Sequence, residues 1–555
     1  SAILRSFYIK EPPMLPMVFL AVVAAFSLAY VFYGRFLQNK FDLDDSRPTP
    51  AHSEYDGVDR VPTHKAVLFG HHFSSISGAG PIVGPIVAAS AFGWGPTLLW
   101  VVLGAIFIGG AHDFSALIAS VRHQGRSIAT IARETMSPLA YKLMLVFIWL
   151  ALVYVLVVFT DLTSTTFTAN GGVASSSLLF ILLAIAFGIA VYRLKFSILR
   201  SSLLFVPLVF LAVWAGQQVP LTAASLPLLV GGDPANTWDI ILILYCFIAS
   251  TTPVWILLQP RDYLSSYLLY ASVAGGFIGI LFGGLGIHFP AFTAWSHPQL
   301  GSLFPILFIT VACGSCSGFH AVVASGTSSK QLDRESDARL VGYGAMLIEG
   351  LVAVMALVTV MVLARNDLLL KQAPLAIFGR GMGRFLAVLG LPEQLGYSFG
   401  LLALSTFILT TLDTCTRLGR YIFEEFFRFK GTRSRYASTL ATLALPALFV
   451  LVNLKDAQGN TIPAWKAIWP VFGASNQLLA ALTLLVITLW VRKMGKKFIF
   501  TLLPMLFMIT MTLWSLLLLI RQYRFSAIGL IAMVLTLLAV LLIVEAFRSL
   551  RRPKP

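Results

Sequence analysis

Long uninterrupted apolar segments dominate this sequence. A helix needs about 20 mostly apolar residues to cross the hydrocarbon layer of a bilayer. Segments of about that length occur fifteen times in the 555-residue chain, at 14–37, 66–90, 95–120, 140–168, 175–192, 199–216, 238–258, 264–287, 303–326, 339–364, 398–416, 437–453, 467–491, 499–520 and 526–547. The sequence therefore predicts an all-α polytopic membrane protein with about 15 transmembrane helices.

The composition excludes the other classes of protein. Hydrophobic residues make up 57% of the chain and charged residues only 12%, whereas soluble domains carry about 25% charged residues. Four cysteines in 555 residues are too few for a disulfide scaffold. No polar stretch between spans exceeds about 35 residues, which leaves no room for a soluble catalytic domain. We therefore expect neither an enzyme nor a bound cofactor.

The positive charge of the chain predicts its topology. Lys and Arg accumulate in the cytoplasmic loops of membrane proteins. Counted over alternate loops, one side of the membrane holds 28 of them and the other side 10. This places the C-terminus in the cytoplasm and the N-terminus outside, with 14–37 as a retained span. The net charge of +16 thus follows from topology and gives no reason to expect a nucleic-acid partner.

The second span contains residues that interrupt a helix. The stretch 71–85 reads His-His-Phe-Ser-Ser-Ile-Ser-Gly-Ala-Gly-Pro-Ile-Val-Gly-Pro. Both prolines lack the N–H that a helical hydrogen bond requires, and the glycines permit unwinding. Unpaired backbone at membrane depth is tolerated only where it lines a cavity or is buried in protein. We predict a broken helix that forms a binding element, with a proline-kinked packing helix as the alternative.

The seventh span contains a comparable stretch, Ala-Ser-Thr-Thr-Pro-Val-Trp at 249–255. Broken helices in corresponding positions of two halves indicate an inverted-repeat transporter. The second and seventh spans are five helices apart, and an odd offset makes the two halves run in opposite directions. The prediction is a first repeat at 66–216 and an inverted second repeat at 238–416. The extra N-terminal helix at 14–37 and the C-terminal helices at 437–547 flank that core.

The ninth span is unusually polar, and it offers an alternative function. Cys313, Cys316 and His320 have the spacing i, i+3 and i+7, so on one continuous helix they share a face. With His71 or His72 they would form a metal site, and the chain would then be an intramembrane metal-binding or redox protein. Cysteines are also ordinary packing residues in a crowded helix interface. A break near Gly314 or Gly318 would destroy the alignment.

Ionisable residues within the spans are costly and are candidates for function. Asp113 and Glu349 are each flanked by long apolar runs, and we predict that they carry protons. The alternative is a structural salt bridge or a hydrogen-bonded carboxyl, with Arg261 or Arg339 as partners. For two further carboxyls near the ends of spans, Asp161 and Asp413, contact with interfacial water is the simpler interpretation.

Several long motifs resemble the carbon starvation protein A (CstA) family of bacterial inner-membrane transporters. They occur in the same order along most of the chain and begin at Gly70 (GHHFSSISGAGPIVGP), Gly110 (GAHDF), Pro253 (PVWILLQPRDYL), Ser317 (SGFHA), Glu335 (ESDARLVGYGAM) and Trp469 (WPVFGASNQLLA). The resemblance implies uptake of small nutrients, peptides or pyruvate, during carbon starvation, driven by protons. It also implies a LeuT-like fold with five-plus-five inverted repeats.

The resemblance also implies positions for the sites. The two broken stretches would flank the substrate through Ser77, Gly78, Ala79, Gly80, Ser250, Thr251, Thr252 and Trp255. In LeuT-like proteins a cation site lies between the first broken helix and the eighth helix, which points to Ser325, Thr327 and Ser328 or, one turn earlier, to Ser315, Ser317 and His320. Cys316 departs from the family pattern, and the segment 365–397 is shorter than in the longer relatives.

The function that these observations favour is secondary active transport by alternating access. Half-helix N-termini present free N–H groups to an anionic carboxylate, which both peptides and pyruvate carry. Peptides also need an acid for the ammonium group, such as Asp113 or Glu349, and the relay of protons would use His71, His72 or His320. The expected partners are this substrate, a proton or other cation, and the lipid bilayer. A passive channel is a further alternative.

Overall fold

A computed structural model describes residues 14–57, 60–225, 229–253, 256–429, 431–452, 454–455 and 461–551. Nearly all of this structure is helical. The N-terminal part comprises α1 (Met14–Phe41), α2 (Pro50–Ser53), α3 (Lys65–Ile76), α4 (Gly80–Phe92), α5 (Trp94–Leu103), α6 (Gly110–Arg122), α7 (Ile128–Thr135), α8 (Pro138–Ala169), α9 (Gly171–Gly188), α10 (Ile198–Gln218), α11 (Pro234–Thr251) and α12 (Leu258–Phe282).

The second part of the chain continues in the same way. Its helices are α13 (Leu303–Thr310), α14 (Gly318–Gly326), α15 (Ala345–Met361), α16 (Pro374–Ala387), α17 (Glu393–Phe427), α18 (Thr432–Leu451), α19 (Ala464–Lys493), α20 (Ile499–Tyr523) and α21 (Ala527–Arg551). Segments of π-helix join α5 to α6 (Gly104–Gly109), extend α9 (Ile189–Arg193) and precede α15 (Arg339–Gly344). Two short hairpins pair Ser296–His297 with Gly301–Ser302 and Leu454–Lys455 with Thr461–Ile462.

The described residues contain 12 helices that are long and apolar enough to cross a membrane, or 13 if one bent pair is counted as a span. The predicted all-α membrane class is confirmed, but the predicted count of fifteen is not. Two predicted spans are not among these helices. In the segment 238–258, the 18-residue helix α11 ends at Thr251. The segment 303–326 is divided into two short helices.

The first broken helix lies in the predicted place. Helices α3 and α4 meet at a bend of 46°, and the residues between them are Ser77–Ala79. Pro81 stands in the first turn of α4, where a missing N–H costs nothing because that group has no helical partner. Pro85 lies within α4, so the interruption is shorter than the stretch 71–85 that the sequence predicted.

A second interruption separates α13 from α14 at residues 311–317. The stretch 249–255, where the sequence predicted the second break, is instead where α11 ends. The next helix begins at Leu258, and Val254 and Trp255 lie outside the described residues. The two interrupted helices of the described structure are therefore α3/α4 and α13/α14.

Glycines let the two interrupted helices touch. A Cβ atom on Gly80 would lie 2.3 Å from the Cys313 sulfur, and a Cβ atom on Gly84 would lie 2.6 Å from the Thr310 carbonyl oxygen. Both distances are too short for real atoms, so only glycine permits this approach. The glycines of the first broken helix consequently set its distance from the second.

The packing of the helices follows a two-fold pattern. Helix α4 packs against α15 as α14 packs against α6, and α3 packs against α12 as α13 packs against α19. The two longest helices, α8 and α17, cross each other, and α11 packs against α18. The short helix α7 contacts α19 as α16 contacts α12. Exchanging α3–α8 with α13–α17, and α11 and α12 with α18 and α19, therefore reproduces these contacts.

Candidate functional site

A small enclosed cavity lies where the two interrupted helices meet. It leaves room for about one water molecule. The residues that line it come from both broken helices and from α8, α17 and α19; they are Ile76, Gly78, Gly80, Val155, Phe159, Cys313, Phe319, Thr411, Phe472 and Asn476. Of the eight predicted substrate residues, Gly78 and Gly80 line this cavity.

Two helices begin at the cavity. Helix α4 begins at Gly80 and α14 at Gly318, and both starts adjoin cavity-lining residues. The first N–H groups of a helix lack internal partners and carry the positive end of the helix dipole. Ser77, beside the first start, is 1% exposed, and its hydroxyl has no hydrogen-bond partner.

At the α4 start, Pro81 has no N–H. The N–H groups of Ile82 and Val83 donate to the Ala79 carbonyl. The Gly80 N–H is therefore the donor that α4 offers. With the partly apolar wall, this arrangement suits a small anionic group.

Two adjacent amides on α19 support the second interruption. Oδ1 of Asn476 accepts from the Phe319 N–H at 2.9 Å, and its Nδ2 lies 3.1 Å from the Ser317 hydroxyl. Nε2 of Gln477 lies 3.0 to 3.3 Å from the carbonyls of Phe308, Val311 and Ala312. These amides satisfy backbone groups that a continuous helix would pair internally, and the sequence analysis missed both. Their signal was a polar pair within an otherwise apolar span.

Next to the cavity, four fully buried side chains form a histidine–carboxylate cluster: His112, Asp113, His320 and Glu349. Nδ1 of His320 lies 2.7 Å from Oδ2 of Asp113, and Nδ1 of His112 lies 2.7 Å from Oδ1 of the same carboxylate. Nε2 of His320 lies 3.1 Å from Oε2 of Glu349, although the ring N–H is not aligned for a hydrogen bond. The cluster joins α6, α14 and α15.

The structure brings together three of the residues that the sequence proposed for coupling, Asp113, His320 and Glu349. His72 lies close enough to Asp113 and His320 for electrostatic interaction, and its Nδ1 lies 2.7 Å from the Ser328 hydroxyl. Two other predicted residues make local contacts. The hydroxyls of Ser325 and Thr327 donate to carbonyls four residues earlier on their own helix, at Ala321 and Val323.

His71 belongs to a second group, which we call the arginine cluster: His71, Tyr245, Arg261, Asp262 and Asp413. Arg261 forms an ion pair with Asp413, and the Tyr245 hydroxyl donates to Asp413 at 2.9 Å. Nδ1 of His71 lies 3.4 Å from Oδ2 of Asp262. The cluster joins α3, α11, α12 and α17. Arg261 is therefore the partner of Asp413, not of Asp113 or Glu349, and Arg339 bonds Gln38 instead.

The other predicted substrate residues lie elsewhere. The carbonyl of Ser250 accepts from Arg420 at 2.6 Å, and the carbonyl of Thr252 accepts from Arg417 at 2.9 Å. The Thr251 hydroxyl donates to the Phe247 carbonyl within its own helix. These residues end α11 and do not line the cavity, and Trp255 lies outside the described residues. Ala79 is buried between the two halves of the first broken helix.

The structure does not favour the alternative metal site. The interruption at 311–317 removes the helical alignment that Cys313, Cys316 and His320 needed. Cys313 faces Gly80, whereas the His320 ring contacts two carboxylates. Within the residues that the structure describes, no group of three or more His, Cys, Asp and Glu side chains can hold a metal ion.

The two carboxyls assigned to interfacial water are buried. Asp161 is 6% exposed and Asp413 is 1% exposed. Oδ2 of Asp161 accepts from the Trp465 N–H at 2.7 Å, so it caps the start of α19. Both residues are thus paired inside the protein, because neighbouring helices cover the positions that the sequence placed near the membrane surface.

Interrupted helices that meet at an enclosed cavity beside buried ionisable groups define a class of membrane protein, the secondary transporters. The sequence profile of the carbon starvation protein CstA family matches residues 14–370 and 364–515. The chain belongs to this family, and it is a multi-pass membrane protein of the secondary transporter class.

The similar proteins of this family are transporters. The peptide transporter CstA of Helicobacter pylori (strain ATCC 700392 / 26695) is 33% identical over 89% of this chain and 80% of its own. The peptide transporter CstA of Escherichia coli (strain K12) is 32% identical over 86% and 77%. The pyruvate/proton symporter BtsT of the same strain is 30% identical over 90% and 81%.

Among solved structures, a mutant manganese transporter of Eremococcus coleocola aligns over 87% of this chain and 95% of its own, with 14% identity and a TM-score of 0.49. MhsT in complex with L-phenylalanine aligns over 88% and 99%, with 14% identity and a TM-score of 0.41.

Proposed function

We propose that this protein takes up a small carboxylate-bearing nutrient, a short peptide or pyruvate, by alternating access coupled to protons. The observation that carries the proposal is the cavity between α3/α4 and α13/α14 with the histidine–carboxylate cluster beside it. The relatives named peptide transporter and pyruvate/proton symporter support both substrate classes.

The substrate carboxylate binds at the N-termini of α4 and α14. The two starts approach the cavity from different helices, so one carboxylate accepts from both. A helix N-terminus stabilises a negative charge by up to about 2 kcal/mol in favourable, partly buried geometry. Phe159 and Thr411 line the same cavity beside Gly78, where a Cβ on Gly78 would approach both of them to 2.8 Å, and they contact the remainder of the substrate.

The proton is carried by Asp113, His320 and Glu349. The His320 ring donates to both carboxylates only when both of its nitrogens are protonated. Two carboxylates around one imidazole then leave an excess negative charge in a dry site, which is costly unless a further proton or cation is present. Gain or loss of that proton changes the attraction between α14, α6 and α15, and so couples protonation to helix position.

We also propose a revised division of the repeats. The first repeat comprises α3/α4, α5–α6, α8, α11 and α12, and the second comprises α13/α14, α15, α17, α18 and α19. Helices α9 and α10 are inserted in the first repeat. The two-fold pattern of helix contacts supports this assignment, which replaces the boundaries 66–216 and 238–416 while keeping a LeuT-like five-plus-five core.

The family and the loop charges support a proposed location and orientation. The protein lies in the bacterial inner membrane, with the N-terminus of α1 outside and the C-terminus in the cytoplasm. Under this orientation α4 faces the outside and α3 the cytoplasm. Cysteine labelling at the loop between α20 and α21 tests the orientation, because that loop must react with an impermeant reagent added to whole cells.

Uptake into proteoliposomes tests the function. Labelled dialanine and labelled pyruvate are each supplied with and without an inward proton gradient. Accumulation of either above the outside concentration, abolished by a protonophore, is the expected result. Uptake that only equilibrates and ignores the protonophore indicates a channel, and no uptake of either probe would contradict the proposal.

A further inference from the structure

The N-terminus of α14 is already occupied by a side chain from another helix. Asn476 on α19 is 3% exposed and lines the small enclosed cavity between the two interrupted helices. Its amide hydrogen-bonds residues on both sides of the second interruption. Its Oδ1 lies 2.9 Å from the Phe319 nitrogen and 3.3 Å from the Ser317 hydroxyl. The Asn476 amide oxygen therefore accepts from donors at the start of α14, a helix of nine residues.

The orientation of this amide is fixed by its neighbours. The Phe319 N–H is only a donor, so the atom that faces it must be the oxygen. Nδ2 of Asn476 lies 3.4 Å from the Ala312 carbonyl oxygen, which is only an acceptor. The amide thus bonds both sides of the interruption, a carbonyl before it and an N–H after it.

We propose that Asn476 is a built-in competitor for the substrate carboxylate. Its amide oxygen holds the Phe319 N–H and the Ser317 hydroxyl while the cavity is closed and nearly filled. A carboxylate that enters takes over these donors, and the amide turns away. This inference rests on the proposed function and adds a residue that sets substrate affinity.

The competition has a clear physical consequence. A buried donor without a partner is costly, so the substrate-free site needs the amide to satisfy it. Exchanging a neutral amide oxygen for a charged carboxylate strengthens the bond, because charge-assisted hydrogen bonds are about twice as strong as neutral ones. The substrate-free protein therefore stays closed, and an anionic ligand still displaces the amide oxygen from these donors.

Gln477 provides a matched control. It is the next residue on the same helix, it is also fully buried, and its Nε2 supports the same interruption. It contacts only carbonyl oxygens, so its loss frees no donor for a carboxylate. The two positions therefore separate competition from simple support of the break.

The test measures binding of dialanine, dialanine amide and pyruvate to the purified full-length protein by calorimetry, for wild type, Asn476→Ala, Asn476→Asp and Gln477→Ala. We expect Asn476→Ala to lower the dissociation constant for dialanine about fivefold, the effect of one neutral hydrogen bond. Gln477→Ala should not lower it, and the amide probe should show no gain. Asn476→Asp keeps an oxygen on the same donors but sets its second oxygen against the Ala312 carbonyl, so it should lose dialanine binding and melt below the wild type while remaining folded.

The outcomes separate this inference from the proposed function. Dialanine binding that is equal or weaker in Asn476→Ala would overturn the competitor role and leave the transport proposal standing. Binding by Asn476→Ala alone would support the competitor and contradict uptake by the wild type. Binding by none of the proteins would overturn both. If Asn476→Ala does not fold, tight dialanine binding by a folded Asn476→Asp would overturn the competitor role by itself.

Discussion

Nδ1 of His320 and Oδ2 of Asp113 lie 2.7 Å apart in a place where neither side chain reaches solvent. The two residues are 207 positions apart in the sequence, on α14 and α6. A buried contact of this kind between a cationic and an anionic group is strong only while both keep their protonation states. Under the proposed coupling, a change in the protonation of this contact changes the attraction between the two helices.

Replacement of His320 should uncouple transport from protons. One proton moving down a gradient of one pH unit supplies about 1.4 kcal/mol, which supports about tenfold accumulation. We expect His320→Asn proteoliposomes to lose that accumulation while retaining exchange of labelled for unlabelled substrate. His52→Asn, in the short helix α2, is the control and should accumulate as the wild type does. Undiminished accumulation by His320→Asn would remove this residue from the coupling scheme.

Glu349 should share this role. Glu349→Gln keeps the shape of the side chain but cannot bind a proton, so we expect exchange without accumulation, as for His320→Asn. The double variant should be no worse than either single one, because both remove the same step and their effects are then not additive. Accumulation ratios in the three variants, measured at one pH gradient, check this. A further loss in the double variant would place the two residues in separate steps.

The ion pair between Arg261 and Asp413 should stabilise the packing of α12 against α17. Removing one partner of a buried pair leaves an unpaired buried charge, at a cost of about 3–5 kcal/mol. Arg261→Met should therefore unfold well below the wild-type temperature, and Arg261→Met with Asp413→Leu should recover part of the loss. Thermal unfolding in detergent measures both.

The control for this pair lies on the surface. Arg126 and Glu134 also form an ion pair, 3.2 Å apart, but their side chains are 52% and 43% exposed, so Glu134→Gln should cost about 0–1 kcal/mol. Equal losses for Arg261→Met and Glu134→Gln would show that the buried cluster does not carry the stability assigned to it.

The closeness of the two broken helices should depend on Gly80. Gly80→Ala places a Cβ 2.3 Å from the Cys313 sulfur, and overpacking of this kind costs about 1–3 kcal/mol. We expect reduced uptake, with recovery in Gly80→Ala/Cys313→Gly, where the opposing side chain is absent. In Gly84→Ala the new Cβ meets the backbone oxygen of Thr310, so the Cys313→Gly change should not restore it. Uptake assays compare Gly80→Ala and Gly84→Ala, each with and without Cys313→Gly.

One contact between the loop after α1 and the loop after α19 should respond to pH. Nζ of Lys496 lies 2.5 Å from Oδ2 of Asp42, and this hydrogen bond and charge hold the pKa of Asp42 below its ordinary value. Since the folded-state pKa is the lower one, the contact adds stability above the ordinary value of about 3.9 and loses it as pH falls through the folded-state pKa. The melting temperatures of wild type and Asp42→Asn should differ near neutral pH and converge in acid.

High salt is the control for this contact. The Asp42 side chain is exposed, and about 1 M salt shortens the screening length to about 3 Å, so the difference between the two proteins should shrink at constant pH. A difference that persists in acid and in salt would assign the effect to packing.

The local sequence predicted those features of the fold that depend on residues close together in the chain. Apolar runs predicted the spans, and the Pro81 and Gly78–Gly80 pattern predicted the first interruption. The same reasoning placed the second interruption at 249–255, because Pro253 and its hydroxyl neighbours have the same appearance. In the structure that stretch ends α11, and the interruption follows Thr310. A proline with small polar residues marks the end of a helix as readily as a break within one.

The sequence by itself thus determined that the chain forms a bundle of apolar helices with Asp113, Glu349 and His320 at membrane depth. Only the tertiary structure decided that His320 meets both carboxylates, that His71 and Arg261 lie in a separate cluster, and that Asn476 supports the second break. Hydrophobic periodicity and helix breakers act within a few turns, so they are visible along the chain. The partner of a buried charge is set by the packing of helices that lie hundreds of residues apart, and no local pattern records it.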